Sequence, residues 1–404
     1  MHVIAGFAFL TLFSLISLPV VHGEVRDYGS EEIFGFKSGR SAPLTLLDLS
    51  TGAACLDGSP YGFYFIPSTT NSTKWTIYIQ GGGWCYNETL CYERSKTRLG
   101  SSKFFANTSS CGCMNSDGTS DCNCIYMPYG DGASFSGYRA HPVEVPGSGG
   151  KLYFRGIQNL DATVEYALTN LGLGEATELV VTGSSAGGLS TYLHTDRIVA
   201  MVQTRASRLE LTRAAPVVGY FLDHDNYNYD SYNYTTWMKY IYGMQNLTTG
   251  ALLPSCLKSF PSEPHYCFMS PHMEKFIKTP FFVFNSKYDE WQMVNILQAP
   301  CYKNHQNACT DSEQKAVMQY GKDFMTQFDS VESDKGHGGF ITSCVCHGCS
   351  WDSLTKSEAS QETAMDAYLA WINGKTTGAG SFHIDQRGPN GDGTIKLSSC
   401  KPFP

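Results

Sequence analysis

Residues 178–202 constrain this chain more than any other stretch. A compact apolar run, Glu178-Leu179-Val180-Val181-Thr182, leads into Gly183-Ser184-Ser185-Ala186-Gly187-Gly188, and a helical stretch runs from Gly187 to Val202. A buried strand that turns sharply into a helix through a G-x-S-x-G pattern holds its serine in strained geometry, so the neighbours must be small. Ala186, Gly187 and Gly188 meet that demand. A helix starting there aims backbone N–H groups and its positive dipole end at a developing oxyanion. Ser185 is therefore the candidate nucleophile. Without its strand and helix flanks, the pattern would be no more than a small-residue turn.

The rest of the chain fits an α/β architecture, in which apolar runs alternate with helical stretches and glycine-rich turns. Trp75-Thr76-Ile77-Tyr78-Ile79-Gln80 reads as a buried strand ending at Gly81-Gly82-Gly83. Ile157, Leu160, Val164 and Leu168 recur at helical spacing within Arg155–Leu171. Pro280–Asn285 is a second continuous apolar run of the kind parallel sheets bury on both faces. Gln361–Asn373 reads as a last helix, and Asp223–Asp230 as a polar, aromatic loop. Residues 106–135, with Cys111-x-Cys113 and Cys122-x-Cys124, read as a disulfide-stapled loop with little regular structure. No repeat or linker divides the chain. The expectation is a mostly parallel central sheet flanked by helices, with long disulfide-stapled insertions, in one domain over residues 24–404.

Residues 1–23 carry an apolar core followed by Pro19 and Val21-His22-Gly23, the layout of a secretory signal peptide, although His2 alone supplies an n-region charge. All fifteen cysteines lie beyond it, a density suited to an oxidising compartment. Sequons at Asn71, Asn87, Asn107, Asn233 and Asn246 agree with export and glycosylation. No later segment is apolar enough to span a bilayer. The net charge of −8 gives no general reason to expect nucleic acid as a partner. An acidic polymer as substrate would need local Lys or Arg near the site.

Gln80-Gly81-Gly82-Gly83-Trp84 sits where a serine hydrolase of this architecture places half of its oxyanion hole. Glycine there lets backbone amides approach a carbonyl oxygen. An acid and a histidine must follow the serine, in that order. Asp289, just past a buried strand, is the candidate acid, with Glu290 its neighbour and rival. His347, in Cys344-Val345-Cys346-His347-Gly348-Cys349, and His337, in Gly336-His337-Gly338-Gly339, compete for the base. The cysteines around His347 would stiffen its loop, a mild point in its favour. They also raise a zinc site, but C-x-C-H-x-C lacks a matching second pair, and export favours disulfides. Neither metal nor cofactor is expected.

These blocks, in this order, resemble the pectin acetylesterases of plants and microbes, a family that includes the animal deacylase Notum. The resemblance runs from about Gly58 to about Trp371. It rests on Gly82-Gly83-Trp84-Cys85, Tyr129-Gly130-Asp131-Gly132-Ala133-Ser134-Phe135-Ser136-Gly137, Leu152–Gly156, Gly183–Gly188, Asn285–Gln292 and Ser343-Cys344…His347. It implies Ser185 as nucleophile, His347 as general base and acid, and Asp289 as the orienting carboxylate. The implied oxyanion donors are the amides of Gly83, Trp84 and Ala186. The family carries Cys where this chain has Gly130, and a lost pairing partner there would account for the odd cysteine count. The implied activity is hydrolysis of acetyl esters on a cell-wall polysaccharide such as pectin. Removal of a lipid chain from a protein is the alternative within the family. A binding protein on an inactive hydrolase scaffold is the alternative outside it.

Overall fold

The structure, a computed structural model, describes residues 40–391 apart from 120, 249, 305–308, 332–335, 353 and 355–361. The expected signal peptide and Gln361, where the last helix was expected to begin, lie outside the described residues.

Twelve strands are described: β1 Ser41–Leu46, β2 Gly62–Ile66, β3 Lys74–Ile79, β4 Thr108–Ser110, β5 Asn123–Met127, β6 Val143–Glu144, β7 Lys151–Leu152, β8 Glu178–Ser184, β9 Leu211–Val217, β10 Phe282–Ser286, β11 Gly338–Thr342 and β12 Phe382–Ile384. Ten form one sheet in the order β12-β11-β10-β9-β8-β3-β5-β2-β1-β4. From β12 to β5 every pairing is parallel. β2, β1 and β4 add an antiparallel edge. The helices used below are α1 Glu88–Arg94, α2 Gly156–Tyr166, α3 Ala186–Gln203, α4 Tyr234–Met244, α5 Glu290–Asn295, α6 Asp311–Phe328 and α7 Ala364–Ile372. This is an α/β-hydrolase-like fold.

Alternation along the central strands divides the core in two, since successive side chains point to opposite faces. Ile77, Ile79, Leu179 and Val181 pack with Leu160 and Val164 of α2 and Leu189 and Leu193 of α3. Tyr78, Val180, Phe282 and Phe284 point the other way, into a second cluster with Tyr368 and Trp371 of α7. Every residue of β8 is buried, as a strand covered on both faces requires.

One expectation fails. Residues 106–135 are not merely a stapled loop, because β5 runs within them, parallel to β3 and at the heart of the sheet. Its sequence, Asn-Cys-Ile-Tyr-Met, is short, and Cys124 serves both as a buried strand residue and as a disulfide half. The staples themselves are present, Cys111–Cys124 and Cys113–Cys122. They bind the preceding loop to β5, and β4 forms at that loop's start.

Candidate active site

The C-terminal ends of the parallel strands gather the candidate residues. β8 ends at Ser184, and α3 begins at Ala186. Ser185 between them has φ 58° and ψ −126°, a conformation a non-glycine residue adopts at a cost of roughly 1–3 kcal/mol. The surroundings leave it no alternative. A Cβ on Gly187 would lie 2.1 Å from the carbonyl oxygen of Ile79, and one on Gly183 2.5 Å from the carbonyl of Gly187. A Cβ on Gly188 would reach the backbone of Gly219 at 2.8 Å. The Ser185 N–H donates to the carbonyl of Val217 at 2.9 Å, tying the turn to β9.

The loop after β3 packs directly on this turn. A Cβ on Gly81 would meet the Ser185 Cβ at 2.8 Å and the Ser184 carbonyl oxygen at 2.2 Å, so that glycine is required by contact. Gly83 lies at φ 63°. The guanidinium of Arg94, at the end of α1, donates to the carbonyls of Gly82 at 2.6 Å and Trp84 at 3.2 Å. It therefore fixes the Gly82–Gly83 and Trp84–Cys85 peptides, one before and one after the Gly83–Trp84 link. Cys85–Cys91 closes the turn into α1.

Ser134 joins the two loops. The Trp84 indole N–H donates to Ser134 Oγ at 2.8 Å, and that hydroxyl donates onward to the Ala186 carbonyl at 2.8 Å. The Ser134 N–H donates to Tyr129 Oη at 2.9 Å, and His194 Nε2 lies 2.9 Å from its carbonyl. Burial pushes His194 down to about 3, so its ring is neutral and Nε2 carries the donated proton. Ser134 and Phe135 both have positive φ, 51° and 59°.

Asp289 caps α5. One carboxylate oxygen accepts from the Gln292 N–H at 3.0 Å, and the other lies 2.7 Å from His347 Nδ1. Both side chains are buried. Glu290 opens the helix, and it is Asp289, not Glu290, that meets the imidazole. The His347 loop is anchored by the Cys346–Cys349 disulfide and by the Val345 N–H donating to Asn390 Oδ1 at 2.8 Å. Cys344 is disulfide-bonded as well, so all three of these sulfurs are engaged in covalent bonds. His337 precedes β11, at the opposite end of the sheet from Ser185. Its ring stacks on Phe281 at 3.7 Å, and Nδ1 accepts from the Phe281 N–H.

Around His347 stands an aromatic group. Trp84 packs against Phe221, Tyr234 and Trp291 at centroid separations of 5.0, 5.7 and 5.4 Å. Phe221 and Trp291 each lie 6.4 Å from the imidazole. Arg94, Ser134 and Trp291 were not singled out from the sequence. Trp291 stands in Asp289-Glu290-Trp291 and Ser134 in the segment 129–137, Arg94 lies outside every such block, and only the folded contacts give each a role. Of the sequon asparagines, Asn71 and Asn107 are exposed, and Asn87, Asn233 and Asn246 are half-buried. Among the described residues no helix is long and apolar enough to cross a membrane.

Comparison with known proteins places this geometry in context. A family model described as Pectinacetylesterase matches residues 36–392. Pectin acetylesterase 5 of Arabidopsis thaliana is 29% identical over 344 residues, covering 79% of this chain and 77% of that protein. The palmitoleoyl-protein carboxylesterase Notum of Schmidtea mediterranea is 28% identical over 325 residues, covering 76% of this chain and 57% of its own. The solved structure of the Wnt deacylase Notum from Drosophila superposes with a TM-score of 0.70 at 25% identity, covering 85% of this chain and 97% of that one.

Proposed function

The chain belongs to the pectinacetylesterase family and is a carboxylic ester hydrolase, and on that premise we propose that it is a secreted, glycosylated serine esterase that removes acetyl groups from a cell-wall polysaccharide such as pectin. The observation that carries the mechanism is the pairing of the strained Ser185 turn with the Asp289–His347 contact at 2.7 Å. In this reading Ser185 Oγ attacks the ester carbonyl and its proton passes to His347. Asp289 holds the tautomer and stabilises the imidazolium. The amides of Gly83, Trp84 and Ala186 receive the oxyanion, each critical donor contributing on the order of 3–4 kcal/mol. The sugar hydroxyl leaves with the proton held by His347. Water, deprotonated by the same histidine, then releases acetate and restores the serine. The step calls for no cofactor.

The aromatic group beside His347 supports a short acyl chain over a lipid, because four rings in mutual contact crowd the side of the site next to Trp84. The test is acetate release from acetylated pectin, with acetylated xylan and the Ser185→Ala protein run alongside. Release from pectin by the unaltered chain alone is the expected result. No release from either polymer, with Ser185 still labelled by a fluorophosphonate, would move the substrate to another acyl ester. Full activity in Ser185→Ala would remove the nucleophile.

A further inference from the structure

A cavity of about 110 Å³ opens beside the oxyanion loop, its wall including Gly83, Trp84, Tyr234, Trp237, Met238, Ile241 and Trp291. Two of these are the proposed oxyanion residues, so the cavity adjoins the loop that would hold the acyl carbonyl oxygen. Its size is telling. An apolar cavity of about 150 Å³ holds one benzene molecule. This one accepts an acetyl group with a little room to spare and cannot enclose a long chain.

Its chemistry agrees with its size. Tyr234 Oη and Trp237 Nε1 are buried without a hydrogen-bond partner, and both side chains line the cavity. A long alkyl chain would press methylenes against both donors and leave them permanently unsatisfied. A two-carbon acyl group leaves space for a water that accepts from them.

Among the wall residues, Trp291 has a position the others lack. It follows Asp289 by two residues, on the helix that Asp289 caps, and its ring has four ring neighbours at once. Trp84 lies 5.4 Å away, Phe221 5.3 Å, Tyr234 6.3 Å and His347 6.4 Å. Met238 and Ile241 belong to α4, and both are fully buried in the main core, so they form a floor fixed by the fold. Trp291 is only partly buried, and its indole lines the cavity with that floor while lying 6.4 Å from the imidazole.

We propose that this cavity receives the acyl group and that Trp291 is the residue limiting its length. Acetyl fits under the indole; a chain of several more carbons collides with it. The proposal rests on Ser185 being the nucleophile. Trp291 takes no part in proton transfer and acts by occupying volume.

The experiment compares hydrolysis of 4-nitrophenyl acetate, butyrate and octanoate by the full chain and by Trp291→Leu and Trp291→Phe, with active sites counted by fluorophosphonate titration. A pocket distinguishes chains by roughly 10–200-fold per misfit methylene group. The unaltered chain should therefore favour acetate over octanoate by at least about 100-fold. In Trp291→Leu the octanoate-to-acetate ratio of kcat/KM should rise at least about tenfold. Trp291→Phe, the gentler opening, should gain on butyrate first. General damage to the fold would lower all three esters together and leave the ratios where they were. Unchanged ratios in a variant with native circular dichroism would overturn the proposal, as would octanoate cleaved by the unaltered chain as fast as acetate. Soluble esters also separate this idea from the choice of polymer. A shift in chain length with no acetate released from pectin or xylan would keep Trp291 and reject the polysaccharide. A chain inert to every ester, with Ser185 unlabelled, would reject the nucleophile and this proposal with it.

Discussion

Two turns flank β3, one leaving β8 at Ser185 and the other leaving β5 at residues 129–137, and both hold non-glycine residues at positive φ. They are fixed by opposite means. The turn after β8 is shaped by side chains that are missing, with backbone pressed on backbone at Gly183, Gly187 and Gly188. The turn after β5 is shaped by side chains that are present, with Ser134 bonded to Trp84, Ala186 and Tyr129. Steric exclusion writes itself into a local glycine pattern, whereas a hydrogen-bonded loop depends on partners scattered along the chain. The difference can be broken experimentally at each turn.

The largest effect belongs to Gly187→Ala. The new methyl would stand 2.1 Å from the Ile79 carbonyl oxygen and 2.7 Å from the Gln80 carbonyl carbon, and neither backbone can retreat without moving β3. We expect a loss of at least about 4 kcal/mol in stability, with Ser185 no longer labelled by a fluorophosphonate. Urea unfolding and probe labelling check this. A variant that folds and labels normally would show that the turn does not depend on its glycines.

In the turn after β5 the corresponding test is electrostatic. Burial raises the Asp131 carboxyl to about 7, against the pull of the Phe135 and Ala133 N–H groups and of Arg94. The folded chain therefore keeps this proton at pH values where the unfolded chain has released it. Stability should fall as pH rises from about 4 to about 7 and level off above, by on the order of 4 kcal/mol at most. Asp131→Asn should flatten that slope in melting temperatures recorded across the range. A slope as steep in the variant would place the titration elsewhere.

Ser134→Ala sharpens the comparison at the proposed chemistry. Losing the hydroxyl strands the buried Trp84 N–H, worth about 1–3 kcal/mol, and releases the tie to Ala186. We expect kcat on a small acetate ester to fall roughly 10- to 100-fold with KM nearly unchanged. Against a Trp84→Phe background the same change should cost less, because the shared contact is already gone. Additive losses would mean that Ser134 does not act through Trp84.

The same contrast accounts for what was legible in the sequence. β3, β8, β10, α2 and α3 announce themselves by apolar runs and helical periodicity, and Ser185 by its small neighbours. β5 did not, because its five residues carry Cys124 and follow a cysteine-rich stretch, so that covalent stapling masked a strand signal. α6 has a legible start, since Thr310 and Glu313 form a capping box there, but its residues are less apolar on average than those of α2. Spacing leaves His347 and His337 nearly level and the resemblance favours His347; in the fold the two stand at opposite ends of β11, with His347 the one that meets Asp289. Arg94 and Ser134 act on main-chain atoms of distant residues, and no spacing rule encodes such a contact.

Gly130→Cys tests the turn after β5 from the other side, by asking whether it tolerates an added atom that the turn after β8 would refuse. Cys55 is the one free cysteine among the described residues, fully buried, with burial pushing its thiol up to about 12. A Cβ on Gly130 would lie 3.0 Å from the Cys55 Sγ. A Cβ stands about that far from the distant sulfur of a disulfide whose S–S bond is about 2.05 Å. Gly130 is not among the glycines at positive φ, and a side chain there meets a sulfur atom and two ring edges instead of backbone. The two positions are widely separated in sequence, and a bridge closing so long a loop contributes up to about 4–5 kcal/mol by chain entropy, commonly less once native strain is included. We expect Gly130→Cys to raise stability by about 2 kcal/mol, with one thiol fewer titrating after denaturation than in the unaltered chain. A thiol count higher by one, with no gain in urea midpoint, would show that the turn holds Cys55 and residue 130 in a geometry no disulfide can span.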